Sequence, residues 1–266
     1  MTDPVQIRND ELKNLLLPDF QARYEPNFAW KSACAAFLAL PGLRGFWPMS
    51  SFNENGDAYD LSGQGRTLTY NGNPTYNYSS LIPYIDLDGT GDWLSRADEA
   101  GLDILGTETY VAGTAQGLTM GCWLQFDDLL ANEYIISKWD PALAAQRSYR
   151  LMQVNTDVVR FSIHDGVNAD DVDSSDAIST TGWHFCVGRF IPSTEVAIWL
   201  NRVKGTTVAG IGASIQNSAS PLRIGSTATG GSPFDGRVSL AFLCAAALSD
   251  SIISALFQQT RAMFNR

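Results

Sequence analysis

Histidine is nearly absent from this chain: two, His164 and His184, stand among 266 residues. Neither belongs to a His-Glu-x-x-His helix, and no Gly-x-Ser-x-Gly elbow accompanies them, so zinc hydrolysis and serine acyl transfer lack sequence support. Cysteine is scarce too. Cys34, Cys122, Cys186 and Cys244 sit singly in apolar stretches without Cys-x-x-Cys spacing, which argues against a zinc site and a disulfide framework and predicts buried free thiols. No apolar run approaches the ~20 residues of a membrane helix. No basic segment followed by an apolar one opens the chain, so it reads as mature sequence or as a chain not exported by that route. Basic residues are in deficit, 18 Lys plus Arg against 28 Asp plus Glu, and the net charge of −10 repels phosphate backbones. Neither membrane insertion nor a nucleic-acid partner is expected.

What the chain does have is turn chemistry: 23 Gly and 11 Pro are scattered rather than gathered into linkers, within a composition 45% hydrophobic and 17% charged. The first 40 residues differ from the rest. Residues 10–17 begin with Asp10-Glu11, carry Leu12, Leu15 and Leu16 at helical spacing, and stop at Pro18; Phe20 follows. Residues 27–40 form a second helical candidate, with Asn27 as N-cap and Phe28, Trp30, Cys34, Phe37, Leu38 and Leu40 in one broad stripe before Pro41-Gly42. Short helices joined by Pro-broken linkers need a surface to bury against. Leu12, Leu15, Leu16, Phe20, Phe28 and Trp30 are therefore candidate contacts of an N-terminal arm, residues 1–40, which packs on its own domain or docks on a neighbouring subunit.

From residue 43 the pattern turns to short strands. Residues 84–94, Tyr-Ile-Asp-Leu-Asp-Gly-Thr-Gly-Asp-Trp-Leu, read as two strands hinged at Gly89 and Gly91, residues able to take positive φ and re-aim the chain. Strands are expected at residues 117–126, 134–140, 148–154 and 158–163, the spacing of an antiparallel sandwich. The acidic run with Asp165, Asp170, Asp171, Asp173 and Asp176 lacks EF-hand spacing and its closing Glu, and reads as a solvated loop. Residues 60–65, Asp-Leu-Ser-Gly-Gln-Gly, form a tight turn, with no Lys-Ser/Thr after it to make a phosphate cradle.

These segments resemble, in order, the laminin-G-like branch of the concanavalin A-like jelly rolls. Gly45-Phe46-Trp47 and Asp60 to Gly65 are similar to its "GxWxL" strand and "DxSGxGxxL" turn, and Asp88 to Leu94 to its "FDG-x-x-D-aromatic" turn. Ile135 to Asp140 resembles "IISKWD", Phe161 to Gly166 the "VxFxxxDG" segment, and Gly182-Trp183-His184 the "GxWH" strand. Pro221 to Ser226 is similar to "LxIG", Phe234 to Val238 to "FxGxIDEV", and Leu248 to Phe257 to the closing helix, with Ser249 as its N-cap. The resemblance covers residues 43–257. It implies an all-β fold: a two-sheet antiparallel jelly-roll sandwich in residues 41–266, flanked by the helical N-terminal arm and a short C-terminal helix. Two departures stand out. Arg202 occupies a hairpin position where the family usually has Gly. Ser239-Leu240 replaces an acidic pair whose Asp, in several relatives, helps hold a structural calcium, which counts against that ion here.

Glucanase relatives place their carboxylates in a Glu-x-Asp-x-x-Glu strand, and no such alternation occurs here. The chain is therefore expected not to be an enzyme, with a glycoside hydrolase or esterase as minor alternative. The first expectation is a structural or interaction module displayed on a larger assembly, a virus particle such as a bacteriophage, as capsid decoration or tail, with other protein subunits as partners in an oligomer or lattice. The alternative is a carbohydrate-binding module, for which Tyr76, Tyr78, Trp139, Asp140, Tyr149 and His164 are the candidate ligand contacts, aromatic faces for stacking and polar groups for hydroxyls. Either reading places it on a virion or extracellular surface. No metal-ligating or cofactor residues are assigned.

Overall fold

The computed structural model describes residues 28–53, 55–77, 82–108, 115–206 and 210–266. Two antiparallel sheets face each other. The eight-stranded sheet runs β13 (Val203–Lys204), β12 (Glu195–Leu200), β11 (His184–Ile191), β6 (Leu118–Phe126), β15 (Asp235–Cys244), β4 (Tyr84–Asp88), β3 (Thr75–Asn77), with β1 (Leu43–Trp47) also paired to β15. The seven-stranded sheet runs β10 (Ala169–Asp173), β9 (Val158–His164), β8 (Arg147–Val154), β7 (Glu133–Trp139), β14 (Leu222–Ile224), β5 (Trp93–Arg96), β2 (Thr69–Asn71). This is the jelly-roll sandwich that the sequence implies.

The hinge at residues 84–94 connects the two sheets. Gly89 and Gly91 take φ of 68° and 96°, and they carry the chain from β4 in one sheet to β5 in the other. A side chain at Gly89 would also meet Asp235, its Cβ 2.9 Å from that of Asp235. Asp92 then fastens the crossing, its Oδ1 accepting the Asn73 N–H at 2.6 Å.

Period-two alternation divides the apolar residues between two cores. On β6, Met120, Cys122, Leu124 and Phe126 face the opposite sheet, while Trp123 faces outward. The central strands are thus buried on both faces and read as nearly continuous apolar runs. Between the sheets, Gly188 on β11 gives room to Phe161 on β9, whose ring would lie 2.2 Å from an added Cβ. The outward face of the eight-stranded sheet is roofed by helices α1 (Phe28–Leu38) and α2 (Asp250–Thr260). Phe37 of α1 is fully buried, stacked 5.1 Å from Phe46. Trp30 lies in the same cluster, so it packs on its own domain here. The α1 contacts run across residue 40, the expected end of the arm. Leu12, Leu15, Leu16 and Phe20 lie outside the described residues, as does the side chain of Phe28.

The N-cap of α2 is as expected: Ser249 Oγ accepts the Ile252 N–H at 3.3 Å. Arg189 binds that end of the helix to the sheet through Asp250 at 2.6 Å and the Leu248 carbonyl at 2.7 Å. All four cysteines are free thiols, and three are buried. Cys34 is half-buried, and desolvation pushes its thiol up to about 12.

Two local expectations change. The acidic run is not wholly loop: residues 169–173 form edge strand β10, paired antiparallel with β9 from Ala169↔His164 to Asp173↔Arg160, and Asp173 and Asp171 pair with Arg160 at 2.6 and 3.5 Å. In the β12–β13 turn the left-handed residue is Asn201, φ 59°, so Arg202 occupies its position without the strain that Gly would relieve.

Glu133, at the start of β7, is buried beside Asp128 and Asp235, and its Oε2 accepts the Asp235 N–H at 3.1 Å. Burial raises its carboxyl from the ordinary value to about 7, and the two neighbouring carboxylates add to the shift. Because the folded pKa lies above the unfolded one, this contribution is complete below about pH 4.5 and is lost as pH rises through about 7. Glu133→Gln should match the native chain near pH 4.5 and exceed it by roughly 1–2 kcal/mol at pH 8, in urea unfolding at the two pH values.

Candidate ligand-binding face

The outward face of the seven-stranded sheet has no helical roof among the described residues, and its alternation sets polar and aromatic side chains there. Tyr149 and Leu151 of β8 point into the core, so Arg150 and Met152 point out. Register shifts in the β7–β8 ladder at Tyr134/Ile136 and at Lys138/Trp139 bring both aromatic residues onto the same outer face. Arg150 is the hub. Its guanidinium lies 4.2 Å over the Trp139 ring and donates to Tyr134 OH at 2.7 Å and Ser162 Oγ at 3.0 Å. Arg147 approaches the same indole at 5.7 Å, and His164 meets it edge-on at 5.8 Å.

Burial lowers the pKa of His164, and Arg147 and Arg150 depress it further against the opposing effect of Asp165 and Gln216. The His164 Nδ1 accepts the Gly166 N–H at 3.0 Å, which puts the ring proton on Nε2. Asp140 closes the β7–β8 loop, Oδ1 accepting from Ala142 N at 2.8 Å. That loop and the β9–β10 loop carry Leu143 and Val167, 57% and 81% exposed. Gln216 ties the two loops, donating from Nε2 to the Ala144 carbonyl at 3.2 Å and from its backbone N–H to the His164 carbonyl at 2.7 Å.

Of the six residues selected from the sequence, the structure brings together Trp139, Asp140 and His164, but Trp139 and His164 are only 2% exposed, the indole beneath Arg147 and Arg150, so they support the surface rather than form it. Tyr149 is corrected: it is fully buried, its hydroxyl donating to the Leu102 carbonyl at 2.9 Å, and cannot touch a surface ligand. Tyr76 lies elsewhere, on β3 of the other sheet, 3.7 Å from the Phe52 ring. Tyr78 lies outside the described residues. Arg147 and Arg150 were missed. The readable signal was Arg150 in phase with Met152 on the face opposite Tyr149.

The residues at the family's calcium position do not fit the ion. Ser239 offers no carboxylate, and its hydroxyl donates to the Pro83 carbonyl at 2.7 Å, which occupies a backbone oxygen. Among the described residues no three His, Cys, Asp or Glu side chains are grouped to hold a metal.

Solved structures with the same architecture include the binding domain of Paraclostridial Mosquitocidal Protein 1, 13% identical with a TM-score of 0.62 over 81% of this chain and 52% of that one. Botulinum neurotoxin type C, which depends on interaction with two ganglioside molecules to enter cells, is 10% identical with a TM-score of 0.62 over 85% of this chain and 53% of that one. The binding domain of botulinum neurotoxin DC, solved in complex with rat synaptotagmin II, is 12% identical with a TM-score of 0.60, over 82% and 52%. The chain spans about half the length of each, and at these identities the likeness is one of fold. No curated protein sequence matches the chain significantly. The sequence model of the concanavalin A-like lectin/glucanases superfamily matches residues 98–254, more than half of the chain, and the chain belongs to that superfamily.

Proposed function

We propose that this domain is a non-catalytic recognition module that binds a cell-surface or polymer glycan through the outer face of its seven-stranded sheet. The observation that carries the reading is the pair Arg147 and Arg150, held over the buried Trp139 indole between two loops with exposed apolar tips. The guanidinium groups, laid over the buried indole, suit the hydroxyls of sugars, and Leu143 and Val167 add apolar rim. The carboxylates on this face support binding rather than hydrolysis, since Asp171 and Asp173 are each held by an arginine. The structures of similar fold include toxin binding domains, one of them associated with gangliosides, which favours the same reading.

Arg147→Gln tests it. Beyond the indole, the Arg147 guanidinium bonds, among the described residues, only to the Asp140 and Pro141 carbonyls of its own loop, so the variant should fold. Retention on a glycan array should drop at least ~10-fold, the loss of a charged hydrogen-bonding group. Unchanged retention would move the site elsewhere.

The module is further read as displayed on a larger assembly, a virus particle such as a bacteriophage, with residues 1–27 as docking segment. The support is sequence: Leu12, Leu15 and Leu16 share helical spacing and Phe20 follows Pro18, while α1 already packs on the sandwich. The native mass of the full chain beside a chain beginning at residue 28 tests this. A defined oligomer that becomes a folded monomer on truncation is expected, and equal monomers would refute the docking role.

A further inference from the structure

A cleft on the opposite side of the sandwich collects the unsatisfied positive charge of the described residues. It has a volume of about 360 Å³ and lies between the β12–β13 turn and the end of α2, lined by Asp176, Asn201, Arg202, Val203, Phe257, Arg261 and Arg266. In a chain with net charge −10, the other described cations are occupied. Arg66, Arg96, Lys138, Arg150, Arg160, Arg189, Lys204 and Arg237 pair with carboxylates. Arg147 and Arg223 lie over indole rings, and Lys31 and Arg44 have partners of their own. Among the described residues only the Arg202 and Arg261 guanidinium groups have no ion pair, hydrogen bond or ring partner, and both line this cleft. The third, Arg266, is anchored by the Trp183 carbonyl and His184 Nε2, the latter at 3.1 Å.

We infer that this cleft is a binding site for a carboxylate- or sulfate-bearing sugar. The two unpaired guanidinium groups that line the cleft each offer paired N–H donors to an oxyanion. The Asp176 carboxylate has no partner among the described residues and opposes a multiply charged ligand, while accepting well from a hydroxyl. Asn201 uses its Oδ1 to accept from Phe185 N at 3.1 Å, which fixes the turn and leaves its Nδ2 as donor. Val203, 37% exposed, provides apolar surface for a ring face, with the buried Phe257 beneath the cleft. A monoanionic polyol matches this set. Arg202, the residue that departs from the family's Gly, is thus a ligand contact.

The inference rests on the lectin-like reading, and one experiment separates their failures. The full chain, Arg147→Gln, and the double variant Arg202→Gln/Arg261→Gln are compared on an array holding neutral, sialylated, uronic and sulfated glycans. Both arginines are exposed and unpartnered, so the double variant should melt as the native chain does. The site predicts that acidic glycans are retained, that the double variant loses them roughly 10- to 100-fold, and that neutral glycans are unaffected. Retention should also collapse near 1 M salt, where screening acts over ~3 Å. The sialylated, uronic and sulfated arms show which source of the oxyanion is preferred. Acidic binding that survives in the double variant, or retention of neutral glycans alone, overturns the cleft and leaves the lectin-like reading standing. No retention of any glycan overturns both.

Discussion

Trp123→Ala should lower stability by about 3–5 kcal/mol and detach the C-terminal helix from the sheet. Trp123 is fully buried on the outer face of β6. Its ring stacks 4.1 Å from Phe264 at an interplanar angle of 2°, and lies 5.8 Å from Phe257. Its indole N–H donates to Thr260 Oγ1 at 3.0 Å, and that hydroxyl donates in turn to the Leu256 carbonyl at 2.7 Å. Alanine removes the stacking surface and the donor, leaving a cavity that a pleated strand cannot collapse to fill. The melting temperature should fall by roughly 10 °C for a domain of this size. Hydrogen exchange should accelerate across residues 250–264 before the inter-sheet core opens. Since Arg261 and Arg266 follow this helix, acidic-glycan retention should disappear in the same variant. A melting temperature within about 2 °C of the native value would mean that the helix is held chiefly by α1 and Arg189.

Lys138→Met should cost about 3 kcal/mol despite preserving side-chain length. Lys138 is fully buried, with its ammonium 2.7 Å from Asp98, 3.1 Å from Asp103, and donating to the Ser218 carbonyl. Methionine would leave two carboxylates and a carbonyl facing each other without a cation. The carboxylates are partly exposed, 32% and 18%, which keeps the cost near the lower end for a broken buried pair. The effect should be local. The segment from Asp98 to Asp103 crosses the end of the core and is otherwise held by the Tyr149 hydroxyl on Leu102 and by Arg66 on Glu99 at 2.6 Å. Faster amide exchange around Leu102 and Ile104 is expected, with β6 and β15 unchanged. Global loss of protection without this local signature would contradict a clamping role.

The fold was legible because its main signals are local. Gly89 and Gly91 mark the crossing between sheets, Ser249 marks the last helix, and the apolar run of β6 marks a strand covered on both sides. The candidate site was legible only in part. Trp139 and His164 end their strands and Asp140 follows, which marks the correct end of the sheet, but all three are buried and the surface there belongs to the arginines. Tyr149 looked equivalent by residue type, yet it alternates in phase with Leu151 and so belongs to the core. The bulges that turn Tyr134 and Trp139 to one face leave no compositional mark. The cationic cleft is less legible still. Arg202 lies on a hairpin and Arg261 and Arg266 beyond a helix some 60 residues later, and only the packing of Trp123 and Phe257 brings them together. The Asp residues of β10 misled for a related reason: their arginine partners sit on another strand.

The most direct test of recognition without turnover is to incubate the full chain with each glycan that it retains and to weigh the eluted glycan by mass spectrometry. The account predicts glycans retained at equilibrium and recovered intact, with chelation of divalent ions making no difference, since Ser239 supplies no calcium ligand. Shortened glycans, released in proportion to protein and time, would contradict it and make the domain an enzyme.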